Sequence, residues 1–371
     1  AGSYQLAEAL GNVRRLQWFL THVTALPVSD NFAWVSGWTN DLDGKCLPQA
    51  LADAGAHAIV HYPPPPRGLR PPMVLQNPWW ARPFELFAGM LGTPADDEAD
   101  PSRLVALLVP LLFGYMFGDV GQRFVLLLAG LLLRQRWPLL RILVANGAAS
   151  MLYGVVFGSV FGREDVITAL WVHPIEQPLT VLAVPMAAGI LILLLGLLLN
   201  GLESWWRGEL RHWLLVDAAV LVMYLSLLAA LFMPGSLGIT GFGFGWYLAG
   251  SLGGTPGKAL AETLAAFGRL VEQLMQLLIN SISFVRVGAF ALAHAGLSLA
   301  FTIMAESTGN LIAGVLIMLL GNVIVILLEG LVVTIQTTRL VLFEFFIRVL
   351  RGSGRSFRPL PMPEHVIAIR E

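Results

Sequence analysis

The sequence predicts an all-α polytopic membrane protein with about eight transmembrane helices. The last two are long and tilted, and a small α/β piece precedes them at the N-terminus. Three observations carry this prediction. Of 371 residues, 56% are hydrophobic and 13% charged, with a mean hydropathy of +0.71, which is too apolar for a soluble domain around one core. Beyond about residue 100 the chain reads as successive apolar runs, several reaching the ~20 residues that cross a bilayer. Arginines gather in alternate connections between those runs, as membrane orientation requires.

Composition excludes several functions. A net charge of −1 offers no basic face to nucleic acid. The single cysteine, Cys46, excludes an internal disulfide framework and any cysteine-rich metal site. There is no Walker loop, no metal-ligand cluster among the seven histidines and no nucleophile elbow. No cofactor, metal or catalytic centre is implied. The first residues carry no signal-peptide pattern.

Residues 1–62 read as soluble. Leu10, Val13, Leu16, Phe19 and Leu20 have helical spacing. Residues 31–38 and 56–62 alternate like strands, and Asp41 to Ala54 between them reads as a helix capped by Asp41 or Asp43. Residues 63–100 start with Pro63-Pro64-Pro65-Pro66, a stiff linker. Pro78-Trp79-Trp80 and Pro83-Phe84-Glu85-Leu86 then have the look of a membrane-surface segment. The transmembrane domain is expected over 101–350 and a cytoplasmic tail over 351–371.

Hydropathy places spans at 104–117, 121–133, 139–161, 180–200, 213–232, 266–303 and 311–347. Arg134, Arg136 and Arg141 mark one inside loop, Arg207 and Arg211 the next. Arg348, Arg351, Arg355 and Arg358 put the C-terminus inside. The loops 163–178 and 304–310 are acidic or nearly free of basic residues, as outside loops should be. Seven spans leave 233–238 and the start of the 266–303 helix on opposite sides. The glycine-rich run Ile239 to Gly250 supplies the missing crossing. The count becomes eight, with both termini inside a multi-pass protein of, as expected, a prokaryotic plasma membrane.

Arg286 and Arg339 sit deep in the last two apolar stretches. A charge there costs at least about 2.5–3.5 kcal/mol on insertion scales, so neither is an accident: each is either a functional cation or a structural one paired to a buried carboxylate. Arginine stays protonated at physiological pH and cannot itself carry a proton.

Four motifs occur in order. Ser283-Phe284-Val285-Arg286 precedes Ala291-Leu292-Ala293-His294-Ala295-Gly296-Leu297-Ser298. Met116-Phe117-Gly118-Asp119-Val120-Gly121 lies earlier. Glu329-Gly330-Leu331 leads to Gln336-Thr337-Thr338-Arg339-Leu340 and Glu344-Phe345. Gly352-Ser353-Gly354 leads to Phe357-Arg358-Pro359. Over residues 75–360 the chain resembles subunit a, or I, of the V-type and A-type rotary ATPases. Residues 1–62 resemble a remnant of the family's cytosolic half, most of whose long arm is not in this sequence. Two positions depart from the family pattern: Arg123, where glycine is usual, and Val287, often leucine.

The resemblance implies a non-catalytic stator subunit. Its partners would be a rotating c-type proteolipid ring, peripheral-stalk subunits and a central-stalk-linked subunit. Two offset aqueous half-channels would carry protons or Na⁺ to the ring carboxylates, with Arg286 and Arg339 between them. Along the helices, Glu272 falls 14 residues to the inner side of Arg286 and His294 eight to the outer side, while Glu329 lies ten outward of Arg339. Gln336 follows Glu329 by seven residues and shares its face. His294, Glu329 and Gln336 are thus the expected outer half-channel, and Glu272 the inner one. Asp119, Glu344 and Ser283 are further candidates. Spacing alone assigns Asp119 to closing the first hairpin, Glu344 to Arg348 and Glu272 to Arg269. The rival readings are a stand-alone channel or secondary transporter and a non-conducting assembly scaffold. No inverted halves are visible, which disfavours the transporter.

Overall fold

The computed structural model describes residues 12–13, 16–21, 34–39, 41, 43–64, 71–95, 98–136, 140–163, 166–251, 259–346, 352 and 354–357. Its contacts group the chain into two units, residues 1–74 with 354–371, and residues 75–353.

In the first unit, helix α1 spans Cys46–Asp53. The Asp41 carboxylate accepts from the backbone N–H groups of Cys46 at 2.7 Å and Leu47 at 3.3 Å. Asp41 therefore satisfies the first turn, as expected, although the helix starts later than its sequence pattern suggests. Residues 12–13 and 16–21 are helical; the rest of the 7–20 expectation lies outside the described residues. The two flanking strands are a correction. Residues 34–39 and 56–62 form no ladder, and 31–33 lie outside the described residues. Alternation selects a face but cannot supply the pairing partner that an extended backbone needs. The sheet that does form is a minimal parallel pair, β1 (Pro72–Met73) with β2 (Arg355–Ser356). Phe357 N–H extends it by donating to the Met73 carbonyl at 3.0 Å. Two-residue strands are too short to show an alternating pattern.

In the second unit, α2 (Glu85–Leu91) leads to a hairpin-rich group, α3 (Ser102–Met116), α4 (Val120–Leu133) and α5 (Arg141–Phe157). Next come α6 (Pro178–Trp206), α7 (Leu210–Leu215), α8 (Asp217–Ala230) and α9 (Leu237–Ser251). The chain continues through α10 (Ala259–Ser283), α11 (Val285–Ser307) and α12 (Leu311–Ile324) to α13 (Gly330–Arg339). Each expected apolar run is helical, including the glycine-rich one at α9. Among the described residues, four helical segments are long and apolar enough to cross a membrane: Pro178–Trp206, Leu210–Ala230, Thr263–Ser307 and Leu311–Phe346. Helices α3, α4 and α5 are apolar but shorter.

Close helix packing rests on small residues. At Gly288 on α11 an added Cβ would collide with the Val181 carbonyl of α6, and at Gly189 on α6 with the Phe284 ring. These glycines let α6 and α11 approach backbone to backbone. Gly158 ends α5 at φ 74°, a left-handed conformation that favours glycine. The buried core gathers Phe113, Met116 and Phe117 of the first hairpin with Val181, Phe284, Val333 and Phe345. The last segment is the least enclosed: 11% of its most apolar stretch is buried, against 28–33% in the other three long segments.

Candidate functional site

The long run expected over 266–303 is interrupted at Phe284, between α10 and α11. The buried Phe284 ring packs over Gly189 and anchors the break. Val287 N–H donates to the Phe284 carbonyl at 3.0 Å. The Ser283 carbonyl is thereby released from its usual helical donor and accepts from Arg286 Nε at 3.1 Å. A local backbone break thus becomes the first anchor of the guanidinium.

The last helix supplies the others. Nη1 donates to Gln336 Oε1 at 3.2 Å, and Nη2 to Glu344 Oε1 at 2.8 Å. Nη2 also donates to Ser283 Oγ, which in turn donates to the same Glu344 oxygen. The pair is unequal in exposure, with 26% of the Arg286 side chain accessible and 8% of Glu344. Glu344 therefore pairs with Arg286; the pairing with Arg348 that spacing suggests lies outside the described residues.

The path of the last helix explains why this pairing was hidden. Leu311–Phe346 is interrupted by two π-helical turns, Val325–Glu329 and Leu340–Phe346, on either side of α13. On an uninterrupted α-helix Gln336 and Glu344 would stand about 80° apart around the axis. The second π turn changes that register, and both reach one guanidinium. π turns recur at functional sites, and here each carries one of the two glutamates.

Eight residues further along α11, the His294 Nδ1 lies 2.6 Å from Glu329 Oε2. Both side chains are largely buried, at 5% and 14% accessible. Seven residues separate Glu329 from Gln336, so the two clusters run in antiparallel register along the two helices. The Phe117 ring meets the His294 ring edge-on at 4.6 Å between centroids. His294 Nε2 finds no partner among the described residues.

Asp119 is fully buried at the turn of the first hairpin. It caps α4 through Gln122 N–H at 2.8 Å and accepts from Ser159 Oγ, Phe161 N–H and Gly162 N–H at 2.8–3.0 Å. Four donors on one carboxylate match the hairpin-closing role that its position suggests. Gln122 Nε2 also donates to Asn322 of α12 at 2.9 Å, tying the hairpin to the last helix.

Two expected residues stand apart from the clusters. Arg339 is exposed and makes no ion pair or hydrogen bond with the described residues. Glu272 is exposed on α10, and no ion pair joins it to Arg269. Arg123 is what sequence reasoning passed over. It is fully buried, its Nε donates to the Phe117 carbonyl at 2.9 Å, and its guanidinium lies over the rings of Phe117 and Phe113. Its two terminal nitrogens have no hydrogen-bond partner among the described residues. The signal was the one that singled out Arg286: a permanent cation in an apolar run. Among the described residues, no group of three or more His, Cys, Asp or Glu is placed to hold a metal ion.

No family model matches the chain. It is 26% identical over 325 residues to the A-type ATP synthase subunit I of Pyrococcus horikoshii, covering 80% of this chain and 48% of that protein. It is 25% identical over 327 residues to the same subunit of Thermococcus kodakarensis, again 80% and 48%. A shorter stretch of 169 residues is 34% identical to the subunit I of Saccharolobus solfataricus, covering 39% of this chain and 24% of that one. The chain spans about half the length of the first two relatives. With its long apolar helices, it is an integral membrane protein, and over four-fifths of its length it is similar to the A-type ATP synthase subunit I of these archaea.

Proposed function

We propose that this chain is the ion-translocating stator of a V/A-type rotary ATPase. It would provide two aqueous half-channels and the arginines between them, against a ring of small hairpin subunits that each carry one mid-membrane carboxylate. ATP chemistry would belong to other subunits, with peripheral-stalk and central-stalk-linked subunits as further partners. Both termini would face the cytoplasm of a prokaryotic cell, with eight crossings between them.

The observation that carries this reading is the anchored guanidinium of Arg286. Its charge is fixed by Ser283, Gln336 and Glu344, while a quarter of its side chain stays accessible. A ring carboxylate arriving beside a fixed cation is stabilised as the anion and gives up its proton. The same cation opposes a proton passing directly from one half-channel to the other. In contact with lipid, a ring carboxylate must be neutral, because a bare anion there is too costly. Deprotonation is then confined to the interface, which makes rotation and ion flow interdependent. Arg339, exposed on the least enclosed segment, suits direct contact with the ring. Glu329 with His294 suits the outer half-channel and Glu272 the inner one.

Purification tests the assignment. In mild detergent, a ring of small two-span hydrophobic subunits should leave the membrane with this chain. A chain that elutes alone and conducts ions in liposomes would instead be a stand-alone transporter.

A further inference from the structure

His294 uses one ring nitrogen on Glu329. The other, Nε2, is buried and without a partner among the described residues, and so is the hydroxyl of Ser298. Ser298 lies four residues along α11, on the same face as His294. Both line one small cavity of about 10 Å³, walled also by Tyr115, Gly118, Ser159 and Gly162. Two of these walls are already committed: Tyr115 donates to the Val181 carbonyl at 3.0 Å and Ser159 to Asp119 at 2.8 Å. One turn beyond Ser298, Thr302 Oγ1 donates to the carbonyls of Gly162 and Ser298, both at 3.1 Å. The free hydrogen-bonding atoms thus converge on one point beside the turn at 158–163.

A water needs about 10–15 Å³ and two to four polar partners. An apolar void of this size would be expected to stay dry, and a buried polar atom left unpaired costs about 1–3 kcal/mol. Two such atoms facing the same space describe a water site. We infer that the cavity binds a single water between His294 Nε2 and Ser298 Oγ, and that protons leave the Glu329–His294 pair through it toward the 158–163 turn. This rests on the reading of Glu329 and His294 as the outer half-channel and gives that half-channel its course. The step balances. A proton passing from the Glu329 carboxyl to Nδ1 is matched by the Nε2 proton passing to the water. The ring ends neutral in its other tautomer, and the water, now hydronium, hands a proton outward. The step runs backwards when ions flow the other way; between successive protons the imidazole regains its Nε2–H tautomer by swinging off Glu329 and exchanging its Nδ1 proton for one on Nε2 through water, with no net change in protons. The route passes on the hairpin side of α11, away from the exposed side of the last helix.

The test uses the assembled complex in proteoliposomes, with ATP-driven proton transport followed by a pH-sensitive dye. Ser298→Val fills the cavity and removes the hydroxyl, and transport should fall about tenfold or more. Ser298→Ala leaves the space with one partner fewer and should fall about threefold, while Ser298→Thr, which adds the same methyl as valine but keeps the hydroxyl, should transport more than Ser298→Val. Ser298→Val transporting within about twofold of the unmodified protein overturns the route. If that variant does not assemble, Ser298→Ala decides, and an unmodified rate overturns it. Glu329→Gln is measured in the same vesicles. If Glu329→Gln is itself unimpaired, the outer half-channel assignment is what fails; if it is impaired while Ser298→Val is not, only this route fails.

Discussion

Arg286 and Arg339 carry the same charge on two neighbouring helices, and their surroundings differ. Arg286 is held on three sides, by the freed Ser283 carbonyl, by Gln336 and by Glu344 at 2.8 Å. Arg339, three residues after Gln336, is exposed and makes no ion pair or hydrogen bond with the described residues. One cation is a fixed reference with its counter-charge beside it. The other is a long, exposed side chain with no partner among the described residues. Fixing a guanidinium requires acceptors from both helices. Freeing one requires only that the helix face point outward.

That contrast can be broken at either end. Short of removing Arg286 itself, the largest effect is expected from Arg339→Ala. With no partner within the described chain, its loss should leave folding intact and lower coupled transport at least about tenfold, equivalent to about 1.4 kcal/mol of barrier. ATP-driven dye quenching in proteoliposomes measures it. A normal rate would make Arg339 a surface arginine only.

Glu329→Gln comes next. The amide keeps size and hydrogen bonding but removes the titratable group. Transport should fall substantially, with assembly preserved on a sizing column. An unmodified rate between pH 6 and 8 would make Glu329 a structural residue.

Glu344→Gln sharpens the account of Arg286. It removes the counter-charge but keeps an acceptor for Nη2. A hydrogen bond to a charged group contributes about 1.5–3 kcal/mol, and part of that survives in the amide. Transport should fall several-fold, less than for Arg339→Ala, and the complex should lose thermal stability in detergent. Unchanged stability and transport together would mean that Glu344 does not hold Arg286. The smallest effect belongs to Glu272→Gln. This group is exposed and close to an end of the apolar run, so transport should stay within about twofold. A collapse would place it in an obligatory path.

The helices beyond residue 100 were legible in place, though not in their ends or breaks. Apolar runs with arginines between them leave little freedom, and even the short glycine-rich α9 followed from the need for one more crossing. Candidate residues on α11 could be named from the sequence: a permanent charge in an apolar run has few bland explanations, whereas a lone histidine there reads more readily as a hydrogen-bonded packing residue. Their pairing was not. Arg286 meets Glu344 only because α10 breaks at Phe284 and the last helix takes two π turns. Neither event has a sequence pattern, since a π turn uses the same apolar residues as the α-helix around it. Arg123 shows a different failure. It was visible, but it was read as a departure from a motif before it was read as a buried cation. The strands expected at 31–38 and 56–62 do not form among the described residues, because alternation describes one chain segment and a ladder needs two.

The most direct measurement is coupled transport by Arg286→Ala in the assembled complex, reconstituted with ATP and an ion-sensitive dye. The fixed guanidinium is the one feature the account cannot do without. The account predicts normal assembly and no detectable ATP-driven transport, with Arg286→Lys also severely impaired, because a compact ammonium cannot reach Ser283, Gln336 and Glu344 together. ATP-driven transport near the unmodified rate in Arg286→Ala would contradict it.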